Sequence, residues 1–246
     1  MKLIKLLIII CLISLGLSRK FKKSHSHKSK ITHEDKAYIV NTHNYYRNLV
    51  ASGNLTGKVV MPKAKNMLQM YWHEGLATKA HELASKCHNR PSGLSDRQIR
   101  EMNFAIGENY KLAGKGEKTN WAGVIGHWFE ENQYFKGRQT LMKVNDKMSK
   151  YSDSFTQMIW ANSYMIGCSV HTCKDNFLYV CLYGPGGNLV GQSIYLDALQ
   201  PDLLCPRGLV QSPNYPSLCC HPSLCGKGII DWSGNYIEFD KRKKKK

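Results

Sequence analysis

The chain has 246 residues, 42% of them hydrophobic, and a formal net charge of +17; this length suits one domain with a small appendix. The charge sits at the ends, with six basic residues in 19–30 and six in Lys241–Lys246, so that the body between carries 21 basic and 18 acidic residues. A nearly neutral body excludes the basic, aromatic-laced face that nucleic acid requires, and no apolar run reaches the roughly 20 residues of a transmembrane segment.

Residues 1–18 join Lys2 and Lys5 to an apolar run, Leu6 to Leu17, and a small residue, Ser18, which predicts a secretory signal peptide and a secreted, extracellular protein. Residues 19–31 form a basic arm expected to be disordered, matched by a polybasic tail at 241–246. Both ends suit either screened attraction to an anionic glycan or cell-surface partner, or plain solvation with no partner.

Thr32 followed by Asp35 predicts a capping box for a helix over Lys36–Ser52, with Ile39, His43, Tyr46 and Val50 at helical spacing and Gly53 as the stop. Asn54-Leu55-Thr56 is a glycosylation acceptor expected in a surface loop. Leu68, Trp72, Leu76, Ala80, Leu83 and Cys87 form the stripe of a second helix. A third is expected over Thr119–Tyr134, with Trp121, Val124, Ile125 and Trp128 inward, and a fourth around Phe155–Trp160. Ile166–Thr172 and Phe177–Tyr183 predict a hairpin turning at Lys174-Asp175-Asn176, and Leu189–Tyr195 a third strand. Helices on a small antiparallel sheet make an α+β fold. From Cys205 the composition turns to Pro, Ser and Cys, which predicts a disulfide-tied extension over 201–240.

Loss of the signal removes Cys11 and leaves Cys87, Cys168, Cys173, Cys181, Cys205, Cys219, Cys220 and Cys225. An even number in an exported chain points to four disulfides, with thiolate zinc near Cys219–Cys225 as the alternative.

Four motifs occur in order. They are His43-Asn44-Tyr45-Tyr46-Arg47, Gly107-Glu108-Asn109-Tyr110, Ser154-Phe155-Thr156-Gln157-Met158-Ile159-Trp160, and Val180-Cys181-Leu182-Tyr183-Gly184-Pro185-Gly186-Gly187-Asn188. Together they resemble the HNxxR, GEN, HFTQxxW and CxYxPxGN signatures of the CAP superfamily (cysteine-rich secretory protein, antigen 5 and pathogenesis-related 1; the SCP domain), including its venom-allergen-like members. The resemblance covers about Thr32 to Tyr195, within a domain expected over 32–200. It implies a three-layer α-β-α sandwich. It also implies a Cys87–Cys173 bridge, a Cys168–Cys181 bridge, and a hinge-like role for Cys205, Cys219, Cys220 and Cys225 whose connectivity stays open. His43, Asn44 and Arg47 take structural roles by the same resemblance.

Many members of this superfamily set two His and two Glu around a central cleft, where they can hold zinc. The Glu positions map to Glu108 and Glu131, but the His positions hold Pro91 and Ser154, so the resemblance implies a vestigial site, no metal and no cofactor. A substitute set of Glu108, Glu131, His127 and His88 is the alternative, and it would support a metal-dependent hydrolase. No serine has an assignable histidine base, so a non-catalytic binding protein is expected. Its ligand is either a sterol or fatty acid, or an extracellular host partner. For the lipid, the resemblance points to the loop holding Tyr134, Phe135, Leu141, Met142, Val144, Met148 and Tyr151. The competing role for Tyr134 and Phe135 is to finish a helix by packing on the core.

Overall fold

In the computed structural model, which describes residues 31–55, 61–114, 120–135, 152–198, 205–225, 229–230 and 236–237, helix α1 (His33–Ala51) starts at the expected cap. The Asp35 amide donates to Thr32 Oγ1 (3.1 Å) and the Thr32 amide to Asp35 Oδ2 (2.9 Å), which satisfies two of the N–H groups a helix start leaves open. Strand β1 (Tyr71–His73) leads into α2 (Glu74–Ser85), and a short α3 (Leu94–Arg97) precedes β2 (Gly107–Gly114). Helix α4 (Trp121–Glu130) runs into a 3-10 turn, Glu131–Tyr134, and α5 (Asp153–Met158) precedes the hairpin of β3 (Met165–Cys173) and β4 (Asn176–Gly184). The extension contributes β5 (Val210–Gln211), β6 (Cys219–Cys220), β7 (Ile229–Ile230) and β8 (Tyr236–Ile237).

The main sheet has the order β2-β4-β3-β1-β7-β8. Its centre, β2-β4-β3, is antiparallel, while β1 joins β3 and β7 in parallel. Strand β4 is apolar throughout because both of its faces are covered. Leu178, Val180 and Leu182 pack with Leu76, Ala80 and Leu83 of α2. Tyr179, Cys181 and Tyr183, pointing the other way, pack with Ile39 and Val50 of α1, Trp128 of α4 and Phe155 of α5. Two apolar layers around one sheet make the three-layer α-β-α sandwich.

Three local readings change. Leu189–Tyr195 is not a strand; the third antiparallel strand is β2, whose Gly-Glu-Asn start carries no alternating pattern. Leu68 and Trp72 precede α2, with Trp72 in β1, because the apolar stripe continues past the helix start into a strand buried on both faces. The extension also adds β7 and β8 to the main sheet and does not stand apart from it.

The disulfides are Cys87–Cys173, Cys168–Cys181, Cys205–Cys219 and Cys220–Cys225. Cys87–Cys173 ties the end of α2 to the hairpin tip, and Cys168 sits directly opposite Cys181 in the ladder. Cys219 and Cys220 are neighbours in one strand, so their side chains leave opposite faces. One therefore reaches back to Cys205 and the other forward to Cys225. The eight cysteines among the described residues are all in disulfides, which leaves none of them as a thiolate for zinc.

Candidate functional site

The first motif builds the frame. Arg47 is fully buried, and its guanidinium donates to the carbonyls of Leu68, Met158, Trp160, Ala161 and Ser163 at 2.6–3.2 Å. Burial without a carboxylate pulls its pKa down to about 9. Asn44 exchanges both amide bonds with the Met70 backbone, at 2.9 and 2.7 Å. His43 Nδ1 donates to the Ile39 carbonyl (2.8 Å), so Nε2 accepts from the Tyr183 hydroxyl (3.1 Å); burial holds its pKa at about 4. These three residues are structural.

The other motifs meet at Gln157. Its Oε1 accepts from the Gly187 amide (2.8 Å), and its Nε2 donates to Ser163 Oγ (3.2 Å). A Cβ on Gly107 would lie 2.0 Å from Gln157 Oε1, so only glycine lets β2 approach α5 this closely. Asn109 then donates to the Ser154 carbonyl at 3.0 Å and to the Tyr183 hydroxyl at 3.1 Å. On the far side, Thr156 donates to Asn188 Oδ1 (2.7 Å) and Asn188 to the Asp153 carbonyl (2.9 Å).

This clamp walls a cleft of about 1070 Å³ between β2, the end of α4, the start of α5 and residues 186–190. Glu108, Glu131, Pro91 and Ser154 all line it, as do His127, Arg97 and Asp153. Glu108 is fully engaged: its carboxylate accepts from the Ser92 amide (2.8 Å) and hydroxyl (2.9 Å), and Arg97 Nη1 stands 3.7 Å away. The side chains of Glu108 and Arg97 are 4% and 15% exposed, so this pair is largely shielded from water. Glu131 Oε2 accepts from the amides of Ser154 (2.9 Å) and Phe155 (3.3 Å). Its pKa is nevertheless raised, because burial outweighs those hydrogen bonds. Asp153 is pushed up to about 6, first by partial enclosure and then by the charge of Glu131.

These residues do not fit zinc. Among the described residues no three His, Cys, Asp or Glu side chains are grouped to hold a metal. The substitute set is split: His127 lines the cleft with Glu131, but His88 lines a neighbouring cavity of about 450 Å³. The Arg97 guanidinium also puts a positive charge beside Glu108, where a bound cation would be repelled. Arg97 and Asp153 escaped the sequence reading. Arg97 lies in a stretch with no periodicity, and only its pairing with Glu108 in space reveals it.

Of the lipid candidates, Tyr134 is 57% exposed. Phe135 is 2% exposed and packs edge-on against Phe155, with ring centroids 5.9 Å apart, so it finishes the helix in the core. Leu141, Met142, Val144, Met148 and Tyr151 lie outside the described residues, as do the signal, the basic arm and the polybasic tail. Asn54 is exposed just after α1, and Thr56 lies outside the described residues.

The fold and its three-motif clamp define a CAP-type sandwich. A family model for the cysteine-rich secretory protein family matches residues 40–183, and the chain belongs to that family. It is 33% identical over 211 residues to the CRISP/Allergen/PR-1 protein of Trittame loki, a match covering 82% of this chain and 49% of that one. It is 32% identical over 203 residues to the salivary antigen-5 of Dipetalogaster maximus, covering 77% and 76%. The chain thus spans about half the length of the first relative. Among solved structures it is similar to NaASP2 with Zn²⁺ (26% identity, TM-score 0.66, covering 77% and 96%) and to BmVAL-1 (26%, 0.66, covering 79% and 97%). Among the described residues no helix is long and apolar enough to cross a membrane.

Proposed function

We propose that the chain is a secreted, extracellular, non-catalytic binding protein whose cleft receives a cationic, partly apolar segment of an extracellular partner. One observation carries this reading: the carboxylates of Glu131 and Asp153 line the same cleft as the apolar side chains of Leu94, Leu189 and Val190, which are 68%, 39% and 65% exposed. Apolar side chains left in water around charged groups are typical of surfaces that are covered in use. A Lys or Arg placed between Glu131 and Asp153 would stabilise both carboxylates as anions. Export is supported by the signal-like start and by relatives named as salivary and venom proteins.

The hydrolase reading loses support because Glu108 is saturated by Ser92 and Arg97, and Glu131 is occupied by backbone amides. The NaASP2 structure contains Zn²⁺, whereas Pro91 and Ser154 of this chain offer a metal no imidazole, thiolate or carboxylate. The sterol or fatty-acid reading of the aromatic loop rests on Tyr134 alone among the described residues, since Phe135 is core.

Calorimetry with a peptide of alternating Leu and Lys, and with the same peptide carrying Gln for Lys, tests the proposal. Saturable binding of the Lys peptide at pH 7.5 is expected, weaker by up to about 10-fold at pH 5, where Asp153 is largely protonated. Asp153→Asn should remove that pH dependence. Absence of saturable binding, stronger binding at pH 5, or zinc-dependent cleavage of the peptide seen by mass spectrometry would each overturn it.

A further inference from the structure

Where the extension crosses the start of β1, a separate cavity of about 300 Å³ remains. It lies between Leu68, Tyr71 and Tyr164 of the body and Leu209, Cys220 and Leu224 of the extension. Its walls are mainly hydrocarbon, disulfide sulfur and tyrosine, joined by Gln69 and His221, with no Lys, Arg, Asp or Glu among the described lining residues. Tyr71 is 2% exposed, and its hydroxyl is buried with no hydrogen-bond partner among the described residues. Native chains satisfy nearly all such groups, so an orphan hydroxyl beside a cavity asks for a partner. Burial raises the pKa of the phenol, which keeps its proton and remains a donor at physiological pH.

Gln69, Tyr164 and His221 are the other polar residues of the lining. Gln69 Oε1 accepts from Ser212 Oγ at 2.7 Å, and His221 Nδ1 is bonded to Ser223 Oγ at 2.6 Å, with that imidazole on the surface. A mainly apolar cavity of this size, with an unpartnered buried hydroxyl on one of its lining residues, has the make-up of a small-ligand site (about 300 Å³ is the lower end of such pockets).

We propose that this cavity binds a small, neutral, mainly hydrocarbon molecule with a single acceptor oxygen, such as an aliphatic ketone or ester, and that the oxygen accepts from the Tyr71 hydroxyl. Neutrality follows from the walls: a carboxylate would lose its water and find no Lys or Arg among the described lining residues. The site is built from the seam between body and extension, and it is independent of the acidic cleft.

The test uses the full, oxidised chain, with 2-octanone, 1-octene and octanoate as probes followed by ligand-observed NMR. Saturable binding of 2-octanone is expected, at least about fivefold tighter than 1-octene and tenfold tighter than octanoate. Tyr71→Phe should bring 2-octanone down to the level of 1-octene without lowering the melting temperature of the ligand-free protein, because no native bond is lost. Leu209→Trp, which fills the cavity, should abolish binding of both. The proposal fails if wild type shows no saturable 2-octanone binding, if octanoate is preferred, if Tyr71→Phe binds equally well, or if that variant melts earlier without ligand.

Discussion

Arg47 shows how one side chain can hold several segments. Its planar fork reaches five carbonyls, from Leu68 before β1 and from the end of α5 and the segment after it, of which those of Trp160 and Ala161 also accept from the Ser163 and Leu68 amides. Lysine carries the charge but lacks the fork, so Arg47→Lys should lose on the order of 3 kcal/mol in urea unfolding. His43 adds a pH dependence. Its folded pKa of about 4 lies below the unfolded value of 6.5, so the unfolded state binds the extra proton between those limits. The stability linked to His43 is full above pH 6.5 and falls by about 3 kcal/mol as the pH drops to 4, at 1.36 kcal/mol per unit. Asp153 acts with the opposite sign, because its folded pKa is raised: between about 6 and 3.8 the folded state holds the proton more tightly. NMR titration of the His43 ring should show a neutral imidazole down to about pH 4, while urea midpoints fall below pH 6.5 by less than His43 alone dictates.

At the scale of elements, β2 and α5 come together only because Gly107 has no side chain. Gly107→Ala forces Gln157 away and breaks its bond to Gly187, so a loss of about 2–3 kcal/mol is expected by thermal melting. Replacing both Cys87 and Cys173 with Ala should cost about 2–4 kcal/mol, since the bridge closes a separation of 86 residues. The helices were legible because capping chemistry and apolar spacing are local: Thr32 with Asp35 marked the start of α1, and Trp121, Val124 and Trp128 marked the inner face of α4. Strand β2 was not legible as a strand. It begins Gly-Glu-Asn and is held by pairing with β4, a contact more than 60 residues away in sequence. The cleft divided in the same way. Glu108, Glu131, Pro91 and Ser154 could be placed from motifs, whereas Arg97 joins the site through a contact with Glu108 that leaves no periodic trace.

For the molecule as a whole, the extension belongs to the core. Leu218 and Cys219 are fully buried, the Cys219 backbone bonds to Met67 and Gln69 at 2.8 Å, and Tyr215 and Ser217 reach Asn41 and Asn48 of α1. A chain ending at residue 204 should therefore melt well below the full chain, with loss of several kcal/mol, as Leu68 and Tyr71 become exposed. Calorimetry should show a single transition for the full chain rather than two.

The neighbouring Cys219 and Cys220 turn oxidation into a sorting problem. Four thiols in the extension allow three pairings, and the two adjacent ones differ by only one step along the chain. What separates them is direction: once the strand is hydrogen-bonded to Met67 and Gln69, one sulfur faces Cys205 and the other Cys225. Docking of the strand presents each sulfur to its own partner, whereas nothing local in the undocked chain distinguishes Cys219 from Cys220.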